Sequence, residues 1–215
     1  MKALIVQGGW QGHEPKPVSE IFAKALRENK FDVEVSDTLD AFKDEAKMTA
    51  LDLTIPIWTM GRIEGAQLKP LLQAVKNGTG IGGVHGGMCD AFRNETDYQF
   101  MCGGQWVAHP GGDGVTYRVH ITDVPNPITR GVKNFMVTSE QYYMHVDPAI
   151  TVLATTNFGD VVMPVVWTKT YGKGRVFYCS VGHVAKDVLL PVVLTMCTRG
   201  FIWAAEGKTA ASRQS

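Results

Sequence analysis

Charge imbalance is the first thing this sequence lacks. Its 21 basic residues are matched by 21 acidic ones, so there is no broad cationic field to neutralise a phosphate backbone, and nucleic-acid binding is not expected. Cysteine is scarce too. Cys89, Cys102, Cys179 and Cys197 show no C-x-x-C spacing and are too few for a disulfide framework in 215 residues. A reducing, cytoplasmic setting is the expectation. Long apolar runs are also missing. The run over residues 3–7 stops at Gly8-Gly9 without the h-region of a secretory signal. The stretch 188–205 contains Pro191 and Arg199 and begins beside Asp187, which suits a buried C-terminal helix better than a membrane span. No internal repeat or low-complexity segment is present.

What remains is the composition of an ordinary globular protein, 45% hydrophobic and 20% charged. The length allows a single domain over residues 1–207, followed by a small, polar and flexible tail at 208–215. Residues 3–7 form a continuous apolar run, as a buried parallel strand does. Residues 18–29 place Val18, Ile21, Phe22, Ala25 and Leu26 at helical spacing. Residues 31–36, 51–58 and 80–84 read as strands, and 65–76 as a helix. This alternation implies a parallel sheet covered by helices on both faces, with its sites at the C-terminal strand ends. Beyond residue 110 the segments 117–123, 151–155, 165–170 and 174–180 read as strands separated by turns, the last two forming a hairpin around Tyr171-Gly172-Lys173-Gly174. Antiparallel strands therefore join the sheet late.

Five segments carry candidate chemistry. Gly83-Val84-His85-Gly86-Gly87 lies between a strand and a helix start at 88–93. That is the setting of a nucleophile elbow, where small neighbours tolerate a strained backbone and the central side chain stands above the sheet. Here the central residue is His85, an acid or base near neutral pH, or a metal ligand. Gly8-Gly9-Trp10-Gln11-Gly12-His13 opens on the same edge. His13 either converges on His85 or caps the next helix, and Trp10 offers a face that stacks on a sugar ring. Residues 103–112 are too polar and glycine-rich for an apolar element and read as irregular; within them Pro110 holds His109 extended, as a further ligand, an acid or base, or a turn residue. In Thr138-Ser139-Glu140-Gln141-Tyr142-Tyr143-Met144-His145, Glu140 suits the carboxylate partner of a histidine. Tyr142 and Tyr143 face opposite ways if the segment is a strand, so one of them is core; His145 belongs to the site or to the surface. Ser180-Val181-Gly182-His183 brings His183 to the strand-end rim, as a site residue or a helix cap. His120 reads as a strand side chain.

Taken in order, these blocks resemble the ThuA-like (trehalose-utilisation) family of the class I glutamine-amidotransferase-like superfamily. The resemblance runs from Gly8 to His183 and includes Pro164-Val165-Val166-Trp167 and Tyr171-Gly172-Lys173-Gly174-Arg175-Val176. It implies a flavodoxin-like three-layer α/β sandwich, mostly parallel, with antiparallel strands added in the C-terminal half. Amidotransferases of the superfamily use a Cys, His and Glu triad with the cysteine at the elbow. This chain has His85 there, and Cys89 beyond it reads as core, so glutamine hydrolysis is not expected. The resemblance implies carbohydrate metabolism through 3-keto-sugars instead. The expected protein is an enzyme acting on a sugar or keto-sugar. His85 and Glu140 take the acid–base roles, and His13, His109 and His183 hold a divalent ion, zinc before others. Trp10, Trp106, Tyr142 and His145 contact the substrate. A second version does without metal, His85 and Glu140 moving a proton beside a carbonyl. The rival class is a non-catalytic sugar- or partner-binding domain using Trp10, Trp58 and Trp106. No nucleotide cofactor and no membrane partner are expected, and a homodimer is the default assembly.

Overall fold

The computed structural model describes residues 1–212, with side chains through residue 208. The first half alternates strand and helix: β1 (Lys2–Gly9), α1 (Pro15–Glu28), β2 (Asp32–Ser36), α2 (Glu45–Ala50), β3 (Leu53–Thr59), α3 (Gly65–Lys76), β4 (Gly80–Val84), α4 (His85–Cys89) and α5 (Thr96–Cys102). The second half is rich in strands: β5 (Gly104–Ala108), β6 (Val115–Ile121), β7 (Phe135–Ser139), β8 (Tyr143–Val146), β9 (Thr151–Phe158), β10 (Val161–Tyr171) and β11 (Gly174–Cys179). Helices α6 (Ala185–Val188) and α7 (Pro191–Ser212) follow.

A nine-stranded sheet runs β2-β1-β3-β4-β11-β10-β9-β6-β7, and β5 pairs with β8 in a separate ribbon. The first five strands pair in parallel in the flavodoxin-like order, β11 standing in the fifth place. From β11 onward every pairing is antiparallel.

Alternation along the strands dictates the layering. In β1, Ala3 and Ile5 join the core under α1 and α7, whereas Leu4 and Val6 join the core under α2, α3 and α5. Both faces are covered, so the strand is apolar without interruption. Helix α1 begins with Pro15, whose missing N–H would have had no partner there. It presses Val18, Phe22 and Leu26, four residues apart, on the sheet. Phe22 meets Phe201 of α7 edge to face at 5.0 Å. Strand β4 is rich in glycine because α7 lies directly on it: a Cβ on Gly82 would stand 2.7 Å from the Phe201 ring.

Several elements differ from the sequence expectation. The segment 103–112 holds β5, and neither its partner β8 nor β7, α2 and α5 was expected. The helix after the elbow begins at His85 instead of residue 88. Helix α7 continues through Ser212, so residues 208–212 are helical where a flexible tail was expected; 213–215 lie outside the described residues. Among the described residues no helix is long and apolar enough to cross a membrane.

Candidate active site

The C-terminal ends of β1, β3, β4, β7 and β11 converge on one cluster. His85, the first residue of α4, takes φ +48° and is 1% exposed. A side chain in this left-handed region costs on the order of 1–3 kcal/mol. Surrounding contacts hold it there: the Tyr178 hydroxyl donates to the His85 carbonyl at 3.0 Å, and the His85 ring stacks on Tyr142 with centroids 3.8 Å apart. Glu140 follows β7. Its backbone carbonyl accepts from the Tyr117 hydroxyl at 3.2 Å, and its neighbour Ser139 donates to Asp187 of α6 at 2.6 Å. These bonds bring the end of an outer strand beside the loop that carries His183.

Glu140 is the centre of the arrangement. Its Oε2 lies 3.0 Å from His85 Nε2, 3.4 Å from His183 Nδ1 and 3.9 Å from His13 Nε2, and its Oε1 lies 3.6 Å from His109 Nε2. Burial alone would push this carboxyl up. The contacts with His13, His183 and His85 outweigh burial and hold it well below the usual carboxylate range. His85 moves the other way: burial dominates and lowers it to about 4, leaving the ring neutral at pH 7. His183, drawn by the Glu140 carboxylate, is raised.

The hydrogen bonds on the outer side of each ring decide what faces inward. His85 Nδ1 donates to the Ser180 carbonyl at 2.8 Å, so the Nε2 of the neutral ring presents a lone pair to a carboxylate oxygen. Two lone pairs 3.0 Å apart are joined by either a proton or a metal ion between them. His13 Nδ1 is held by the Thr59 hydroxyl at 2.7 Å, which turns its Nε2 inward. His183 Nδ1 is buried with no hydrogen-bond partner. One ligand atom from each of His13, His85, Glu140 and His183 lies within 4.8 Å of the others. Outer-side bonds that orient inward nitrogens are the supports that metal-ligating histidines use, and three nitrogens with one carboxylate form a donor set suited to a divalent ion. The cluster can hold a metal.

A cavity of about 160 Å³ opens beside it, lined by Trp10, His13, Trp106, His109, Glu140 and Tyr142 together with Met60, Asp90 and Arg93. Trp10 is 47% exposed and packs edge-on against the His13 ring. The four-membered set includes His85 and Glu140, given catalytic roles from sequence, and leaves out His109, expected among the ligands. Of the adjacent tyrosines, Tyr142 reaches the site and Tyr143 packs on Phe158. His145 is exposed on β8 opposite Gln105, away from the cavity lining, and Trp58 is likewise outside that lining. Asp90, Arg93, Thr59 and the Ser180 carbonyl were not foreseen as functional. A signal for the first two was available, because Asp90-x-x-Arg93 directly follows the elbow helix.

Gly86 shows how tightly the cluster is packed. A Cβ there would stand 2.6 Å from His13 Cε1 and 2.7 Å from its Nδ1. Gly86→Ala should therefore dislodge His13 from Thr59 and weaken divalent-metal binding by about 10–100-fold, at a folding cost of about 1–3 kcal/mol. Calorimetric metal titration beside a thermal melt checks this. Unchanged metal affinity would remove His13 from the ligand set.

Fold and site together define a flavodoxin-like α/β domain with a histidine at the turn after β4 facing a buried carboxylate. The sequence profile of the ThuA family, described as trehalose utilisation, matches residues 2–204, and the chain belongs to that family. A putative ThuA-like protein from Parabacteroides merdae has a similar structure, with TM-score 0.77 at 20% identity, over 97% of this chain and 91% of that one. Another from Bacteroides uniformis gives 0.82 at 15% identity, over 98% and 93%. A cytoplasmic protein of Salmonella typhimurium gives 0.67 at 14% identity, over 97% and 99%. No curated protein sequence matches the chain.

Proposed function

We propose that this protein is a metal-dependent enzyme that acts on a sugar or 3-keto-disaccharide of the trehalose type by acid–base chemistry, and that zinc is its ion. The observation that carries the reading is the buried cluster in which the inward nitrogens of His13, His85 and His183 surround Glu140 Oε2. His13, His85, His183 and Glu140 would hold the ion, which would supply Lewis-acid polarisation of a carbonyl or a water made acidic, with a pKa of about 7. The chain's own groups do the rest. Glu140 Oε1 faces the cavity beside His109 and is placed to accept a proton from the carbon or hydroxyl next to a carbonyl. Exposed Trp10 offers an apolar face at the mouth, and a cavity of about 160 Å³ admits little more than one sugar ring, leaving the remainder of a disaccharide outside.

Glutamine hydrolysis is not part of this reading. The elbow carries an imidazole, and Cys89 is 1% exposed in the core with Tyr98 and Cys102, where burial pushes its thiol pKa up. Such a thiol is a poor nucleophile. The cytoplasm is the proposed location, in keeping with the family's sugar metabolism and the Salmonella relative.

Two measurements test the proposal. Protein purified without chelators should carry stoichiometric zinc, and 3-keto-trehalose should be consumed by the wild type but not by His85→Ala. Protein that holds no divalent ion refutes the metal assignment. A ligand that binds both forms equally well and is consumed by neither points to the non-catalytic class.

A further inference from the structure

We propose that His109 is a substrate-hydroxyl donor instead of a metal ligand, and that Trp106 is the positioning residue that makes it one; this rests on the sugar-handling site proposed above. The indole N–H of Trp106 can only donate, and it lies 3.2 Å from His109 Nδ1. That nitrogen must present its lone pair, so the single ring proton sits on Nε2. A protonated nitrogen has nothing to offer a metal, which separates His109 from the other three histidines.

Nε2 points at Glu140 Oε1 from 3.6 Å, while Oε2 is the oxygen close to His85 and His183. The gap is too long for a hydrogen bond. An N–H donor and a carboxylate acceptor thus stand side by side on the cavity wall. An alcohol hydroxyl satisfies both, accepting from Nε2–H while donating to Oε1. A carbonyl accepts only and an ammonium donates only, so neither does. The ligand class is a polyol or sugar with a free hydroxyl beside the reacting carbon. The His109 side chain is 38% exposed, which leaves it accessible to such a group.

The tautomer is braced from behind. Buried Asp90 takes Nε and Nη2 of Arg93 at 2.6 and 2.9 Å, and the guanidinium lies 4.6 Å over the Trp106 ring. The indole direction is therefore anchored on a buried carboxylate through a cation–π contact.

Long-range proton–nitrogen NMR of the zinc-loaded protein, labelled in its histidine rings, reads the tautomer directly, and His109→Ala identifies the His109 signals by their loss. The expected result is a neutral ring with its proton on Nε2, which in Trp106→Phe gives way to a mixture of tautomers. His109→Ala should bind zinc like the wild type but bind trehalose about 10-fold more weakly, and His109→Gln, which keeps a donor, should recover part of that loss. A wild-type imidazolium, an Nδ1–H tautomer, loss of zinc in His109→Ala, or equal trehalose affinity in wild type and His109→Ala each overturns the proposal. So does a wild type that fails to bind trehalose. Absence of zinc from every form, with the tautomer intact, would instead sink the metal reading and leave the donor role standing.

Discussion

Glu140→Gln should reduce turnover of a 3-keto-disaccharide by about 10²–10⁴-fold without unfolding the protein. The carboxylate is 8% exposed, so water solvates it little, and its charge is held by the imidazoles of His13, His183 and His85. The amide keeps the shape and removes the charge. In the metal-free protein this removes the imidazole contacts that stabilise the charge, a loss that the amide N–H₂ offsets in part by donating to the lone pair of His85 Nε2 at 3.0 Å. The metal-free variant should melt a few degrees below the wild type while losing both turnover and zinc affinity. Glu140→Asp, charged but shorter, should fall between. Turnover within a few-fold of wild type in Glu140→Gln would remove the carboxylate from the chemistry. A drop of roughly 10 °C or more in its melting point would make Glu140 a structural residue.

The largest stability effect is expected at Trp167. Its side chain is fully buried, donates from Nε1 to the Cys102 carbonyl at 3.0 Å and packs on Tyr178 with ring centroids 4.3 Å apart. Trp167→Ala opens a cavity and should cost about 3–5 kcal/mol, a fall of about 6–20 °C in melting temperature for a chain of this size. Trp167→Phe keeps most of the packing but strands the Cys102 carbonyl, at about 1–3 kcal/mol. Chemical denaturation of both variants should rank alanine well below phenylalanine; equal losses would contradict the cavity argument. Tyr178 also supports the His85 carbonyl, so the alanine variant should lose activity before it loses its fold.

Much of this architecture was legible where one physical rule dominated. Strand β1 is a central strand covered on both sides, and residues 3–7 are accordingly an unbroken apolar run. Helix α3 and strand β4 were placed at their observed limits, because a helical period gives way at 78–80 to a glycine-rich strand under α7. Strands β5 and β8 were not legible. They form a two-stranded ribbon with polar Gln105 opposite exposed His145; Gly104 alone of β5 is buried, and half of β8 is exposed. Within the site, His13, His85, Glu140 and His183 were recognisable because each follows a strand in a glycine-rich or polar block. The position of His109 was legible but its chemistry was not, since the proton on its ring is set by the Trp106 indole across an irregular part of β5. Asp90 and Arg93 act through Trp106, and a contact of that kind leaves no repeating pattern.

The placement of β11 between β4 and β10 has a consequence for biosynthesis. His13 and His85 are made early, but Glu140 and His183 come from the second half of the chain, and β4 pairs with β11 only after the antiparallel strands exist. At about 5–20 residues per second, the roughly hundred residues between His85 and His183 take about 5–20 s to synthesise. Until β11 is made β4 has no neighbour on one side, and until Glu140 is made, 55 residues after His85, the two early histidines have no carboxylate between them. Capture of a divalent ion by this cluster would thus be a late event, one that requires the two halves of the chain to have been joined.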